Sequence, residues 1–98
     1  MITREQLTER ILAMRAELRG RGVSHMALFG SRARGDAREN SDVDLMIDVD
    51  HPRFTILDLV GVEQDLTDHI GLPVQITLRK GISEQLAHRV ADDLVEIF

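Results

Sequence analysis

Ninety-eight residues, 43% of them hydrophobic, suffice for one domain with a single core over 1–98 and are too few for two. A net charge of -5 and only three aromatics, Phe29, Phe54 and Phe98, argue against direct nucleic-acid binding, and the absence of cysteine excludes disulfides and thiolate metal sites. No signal-like apolar run opens the chain, and nowhere do the roughly 18 consecutive apolar residues of a membrane span occur, so a soluble, cytoplasmic protein is expected.

Thr3 stands three residues before Gln6, a capping-box spacing, and Leu7, Ile11, Met14 and Leu18 recur at helical intervals. They predict one amphipathic helix over roughly 3–19, stopped by Gly20 and Gly22, with Arg15, Arg19 and Arg21 near its negative C-terminal end. Val23 to Phe29 is an apolar-rich run of strand length that ends at Gly30-Ser31, where glycine lets the backbone turn. A short helix beginning at Ser31 would aim free N–H groups and the Ser31 hydroxyl at an anion. After Asn40-Ser41, the run from Asp42 to Val49 alternates with period two. Val43, Leu45, Ile47 and Val49 fall on one face, Asp42, Asp44, Met46 and Asp48 on the other.

Asp50-His51-Pro52 marks a turn, and Thr55 can cap a second long helix that carries Ile56, Leu59, Val60, Leu66 and Ile70, tolerates Gly61 and ends at Gly71. Val74 to Leu78 is a third strand whose Gln75 and Thr77 point to the side bearing Asp42 and Asp44. Ser83 can cap a last helix with Leu86 and Val90, and Leu94 to Phe98 reads as either an edge strand or a helical turn. The order α-β-α-β-α-β-α specifies an α/β unit with a mixed sheet of three or four strands flanked by helices.

Between Asp36 and Asp50, six acids face a single base, Arg38, and a divalent cation is the natural relief for that crowding. Two carboxylates two residues apart on a strand project side by side and can share a hard cation with a phosphate. Taken singly, an Asp-x-Asp strand end is most often a solvated acidic edge, and Gly-Ser is a common turn. Gly-Ser after a strand, then ten residues, then Asp-x-Asp opening another strand is far more specific.

With Gly30, Ser31, Asp42 and Asp44 at this spacing, within Gly30-Ser-Arg-Ala-Arg-Gly-Asp and Ser41-Asp-Val-Asp-Leu, the chain resembles the minimal nucleotidyltransferases of the DNA polymerase β superfamily. The likeness covers nearly the whole chain. It implies a polymerase-β-like core, phosphate binding at Gly30 and Ser31 with a further contact at Arg34, and Mg²⁺ or Mn²⁺ on Asp42 and Asp44. It also implies ATP as substrate and, as partner, a HEPN-type RNase toxin whose tyrosine receives AMP. Family members usually carry a third acid where this chain has Gln75, which can coordinate or hydrogen-bond but cannot take a proton. Asp48 is a poor substitute, about 13 Å along the strand from Asp44. The alternative reading is therefore a catalytically weakened domain that neutralises its partner by binding. A purely structural or metal-buffering acidic domain would make the spacing a coincidence.

The other polar residues have plainer readings. His25, His51, His69 and His88 lack metal-ligand spacing, Arg79-Lys80 either solvates a strand end or neutralises a nucleotide phosphate, and Asp92-Asp93 is a helix terminus or turn. Arg32 and Arg38, beside the phosphate turn, suit either a ligand contact or the surface. Met14, Met26 and Met46 read as core or near-core fillers, although Met46 shares the site face and could line a base pocket.

Overall fold

The two alternating runs pair with each other. In the computed structural model, which describes residues 1–98, β1 (Val23–Phe29) and β2 (Val43–Val49) form the antiparallel centre of a four-stranded sheet. The strand order is β3-β2-β1-β4. β3 (Val74–Leu78) lies parallel to β2, a pairing that needs a crossover, and the 15-residue helix α4 (Ile56–Ile70) supplies it. The undecided tail is an edge strand: β4 (Val95–Glu96) runs antiparallel to β1, and Ile97 N–H continues the pairing by donating to the Met26 carbonyl at 2.8 Å. The mixed sheet flanked by helices agrees with the sequence reading.

Alternation decides which side is core. Met26 and Leu28 from β1, Val43, Leu45 and Ile47 from β2, and Val74 and Ile76 from β3 share one face. Leu7, Ile11 and Leu18 cover them from the N-terminal helices, with Val62, Leu66 and Ile70 from α4. This layer is the main hydrophobic driving force, at about 25 cal/mol for each Å² removed from water.

The single N-terminal helix expected over roughly 3–19 is instead two, α1 (Arg4–Leu12) and α2 (Arg15–Gly20). At the break Met14 N–H reaches back only three residues, to the Ile11 carbonyl at 2.9 Å. α1 packs on α4 whereas α2 packs on β1, so the bend aims Leu18 at the sheet after Leu7 and Ile11 have met the helical layer. Hydrophobic spacing alone does not reveal such a change of direction.

The predicted caps form. Thr3 Oγ1 accepts from Gln6 N–H at 3.0 Å while Gln6 Oε1 accepts from Thr3 N–H at 2.9 Å. Thr55 and Asp58 repeat this box at the start of α4. Gly61, inside α4, leaves space for the Arg21 guanidinium, which pairs with Asp65. The remaining helices are the single turn α3 (Ser31–Arg34) and α5 (Glu84–Ala91), with a 3₁₀ turn at Arg79–Gly81. No helix is long and apolar enough to cross a membrane.

Candidate active site

The sheet face opposite the core carries a row of three residues, Phe29 at the end of β1 and Asp44 and Gln75 near the starts of β2 and β3, adjacent in register. Asp42 lies just before β2, and Gln75 Nε2 donates to its Oδ2 at 3.0 Å. The parallel pairing of β2 with β3 thus joins three polar side chains from positions far apart in sequence. Asp42 is exposed, whereas Asp44 is half-buried. Burial, and then the charge of Asp42, raise the Asp44 carboxyl above the ordinary carboxylate range, and the Arg34 cation offsets part of this.

Gly30 links the turn to these acids. Its backbone adopts φ 75°, ψ -158°, a conformation only glycine takes without strain. A Cβ there would run into Asp44 Oδ2 and lie 3.3 Å from its Cγ. The Asp44 carboxylate therefore rests against the bare α-carbon of the Gly30-Ser31 turn. Ser31 follows as the first residue of α3, whose opening N–H groups have no partner within the helix. The Gly30-Ser31 turn and Asp44, well separated in sequence, are in contact.

The neighbouring arginines behave differently from each other. Arg34 is exposed and pairs with Asp36 at 3.1 Å and Asp93 at 3.0 Å, and these hydrogen bonds raise its pKa further. Both pairs use its Nε and Nη1, which leaves Nη2 available to a phosphate. Arg32 is neither a ligand contact nor a surface residue: it is 5% exposed and donates only to backbone carbonyls of Arg38, Glu39 and Ser41. Met46 is 1% exposed with buried Ala27 opposite, so it is the core filler its sequence context suggests and does not line a base pocket. Asp48 is in register with His25 at the far end of the face and pairs with Arg79 at 3.5 Å.

Sequence reasoning missed Arg32 as a loop anchor and Asp93 as a partner of Arg34. The former had a faint signal, since the stretch from Asp36 to Ser41 has little apolar content and leaves backbone carbonyls needing donors. The latter had none, because 59 residues separate Arg34 from Asp93.

No group of three His, Cys, Asp or Glu forms a ready-made cage for a metal. Two carboxylates and an amide oxygen nevertheless fit Mg²⁺ or Mn²⁺, which bind through one or two carboxylates and complete their shell with substrate phosphates and water. Burial and then the neighbouring Asp42 charge work against the ionised Asp44 carboxyl, and a cation would relieve both. None of the surface hollows is lined by Asp42, Asp44 or Gln75. The acids sit on an open shelf.

The sequence profile of the nucleotidyltransferase domain matches residues 9–97. The chain belongs to the nucleotidyltransferase domain family. Among relatives of this nucleotidyltransferase, the protein adenylyltransferase MntA of Thermococcus cleftensis is 32% identical over 98 residues, covering 99% of this chain and 98% of the relative. A solved structure described as a minimal nucleotidyltransferase superposes with a TM-score of 0.81 at 31% identity, covering 96% of this chain and 95% of that one. The fold also recurs in the complex of a tri-AMPylated Shewanella oneidensis HEPN toxin with its MNT antitoxin. There the TM-score is 0.71 at 15% identity, covering 98% of this chain and 72% of the matched one.

Proposed function

We propose that this nucleotidyltransferase moves AMP from ATP to a tyrosine hydroxyl of a HEPN-type toxin, and so acts as an antitoxin. The observation that carries the proposal is the contact between the Gly30-Ser31 turn and the carboxylate of Asp44, with Asp42 held beside it by Gln75. A turn that offers N–H donors next to paired acids suits a triphosphate and its cation, and little else. The adenylyltransferase relative and the fold's presence beside an AMPylated toxin support the donor and the partner. The open shelf supports a protein acceptor, because the missing acceptor pocket can be supplied by the partner's surface. ATP as donor places the reaction in the cytoplasm.

In this reading Ser31 and the first N–H groups of α3 hold the outer phosphates, and Arg34 adds a cationic contact through its unpaired Nη2. Asp42 and Asp44 hold Mg²⁺ or Mn²⁺, which when bound neutralises phosphate charge. The tyrosine oxygen bonds to the α-phosphorus, the bond from that phosphorus to the bridging oxygen breaks, and pyrophosphate leaves. The phenolic proton passes to solvent, because Gln75 cannot accept it. Gln75 instead orients Asp42 through its amide N–H.

That same amide favours one further reading, in which the domain neutralises its partner chiefly by binding. Intact mass of the toxin after incubation with this protein, ATP and Mg²⁺ separates the two. Addition of AMP by the natural sequence supports transfer. No addition with the natural sequence, but addition with Gln75→Asp, would establish the binding-only reading. If both transfer, Gln75→Asp should be faster by about 100-fold, the low side of what a positioned base contributes.

A further inference from the structure

Arg32 is the one buried charged side chain of the molecule, and no acid pairs with it. Burying a guanidinium is costly unless its donors are satisfied. Here its Nη2 donates to the carbonyls of Ser41 at 2.9 Å, Glu39 at 3.0 Å and Arg38 at 3.2 Å, and Nε donates again to Ser41 at 3.3 Å. The same turn is closed from within: Ser41 N–H donates to the Arg38 carbonyl at 3.0 Å, and Ser41 Oγ accepts from Arg38 N–H at 2.8 Å.

The position of these contacts gives them meaning. Arg32 follows Ser31 of the phosphate turn, and Ser41 precedes Asp42 of the carboxylate pair. One planar side chain therefore spans the two halves of the site from beneath. From Gly35 to Asp42 the chain forms neither helix nor strand, so the Arg32 contacts are what fixes where the backbone enters Asp42. On the other side, Val43 N–H donates to the Pro73 carbonyl at 2.8 Å, which settles β2 but not the residue before it.

We propose that Arg32 is a positioning residue for metal and nucleotide binding. It locks the Arg38 to Ser41 turn so that Asp42 is presented beside Asp44 and Gln75, at a fixed distance from Ser31. The proposal rests on reading Asp42 and Asp44 as the metal carboxylates. A lysine would not replace it, because a single ammonium on a flexible stem does not reproduce a planar fork reaching three carbonyls.

The test uses the full chain, with Mn²⁺ and ATP as probes and free Mn²⁺ followed by electron paramagnetic resonance. Amide hydrogen exchange is recorded on the same samples, well below each variant's melting temperature. Arg32→Met is expected to weaken Mn²⁺–ATP binding about 10–100-fold, the usual cost of losing a group that orients a metal ligand. Amides from Arg38 to Asp42 should exchange faster, while those of β1 and β3 keep their protection. Arg32→Lys should recover only part of the affinity. Arg10→Met removes a comparable clamp at a distance, the 3.0 Å donation to the Ile70 carbonyl, and should leave Mn²⁺–ATP affinity unchanged. Faster exchange in Arg32→Met with unaltered affinity would overturn the proposal, as would unaltered exchange. If Arg32→Met does not fold, Arg32→Lys decides: several-fold weaker binding supports the proposal, and wild-type affinity overturns it. Failure of the natural protein to bind Mn²⁺–ATP would instead overturn the metal-site reading on which it rests.

Discussion

At the start of β2, Asp44 sits half-buried beside another carboxylate, with burial and like charge both acting against its ionised form. At the start of α4, Asp58 accepts from Thr55 N–H at 2.7 Å and Thr55 Oγ1 at 3.1 Å, and these bonds lower its pKa. Roughly 20 Å of helix separates Asp58 from the turn that leads into β3 and the site. Two residues of one type thus meet opposite environments. Asp58 is placed where its charge stabilises the fold, Asp44 where its charge opposes folding and is available to a cation. A carboxylate held against the fold's own preference is what a binding site requires and a scaffold avoids.

The sharpest way to break this contrast is to remove the site acids. Asp42→Ala or Asp44→Ala should lower AMP transfer more than about 100-fold, since losing even an orienting neighbour of a metal ligand costs about 10–100-fold. Circular dichroism should show the fold intact. Gly30→Ala comes next: the positive φ and the collision with Asp44 should cost about 1–3 kcal/mol of stability, measured by urea unfolding. It should also displace the Asp44 carboxylate and weaken nucleotide binding. An unchanged Gly30→Ala enzyme would mean that the turn and the acid do not act together.

Thermal unfolding sharpens the comparison further. Asp44 has a folded pKa above its unfolded value, so its contribution favours folding below the unfolded pKa and is lost as pH rises through the folded one. Without metal, Asp44→Asn should therefore raise the melting temperature at pH 7, with the gain shrinking as pH falls toward the unfolded carboxylate range. Asp58 has the reverse sign: its contribution is present above the unfolded pKa and is lost as pH falls through the lowered folded one. Asp58→Asn should lower the melting temperature at pH 7. The smallest effect is expected for Thr55→Ala, which removes the cap at a cost of about 1 kcal/mol and leaves AMP transfer unchanged.

Much of this arrangement was legible beforehand, because period-two alternation from Asp42 to Val49 and from Val74 to Leu78 determines which side chains share a face. The shared face of Asp44 and Gln75 followed from that alternation once the two strands were taken as neighbours, and their parallel register now places them side by side. The threonine caps were legible too, since a capping box is a local spacing. The bend at Met14 was not, because it depends on which layer each half of the helix meets. Arg32 was not either: three arginines stand at 32, 34 and 38, and only the folded loop distinguishes the one that turns inward. Met46, on the site face, is the buried filler expected of it, and only the fold rules out the base-pocket alternative, since alternation gives the side of a sheet and not what covers it.

The most direct test of the central claim, that Asp42 and Asp44 form one metal-dependent nucleotide site with the Gly30-Ser31 turn, is isothermal calorimetry of ATP binding with and without Mg²⁺. The natural protein, Asp42→Asn and Asp44→Asn should be titrated at pH 7. The account predicts Mg²⁺-dependent binding in the natural protein and its loss in both variants. Mg²⁺-dependent affinity retained in both variants would contradict it.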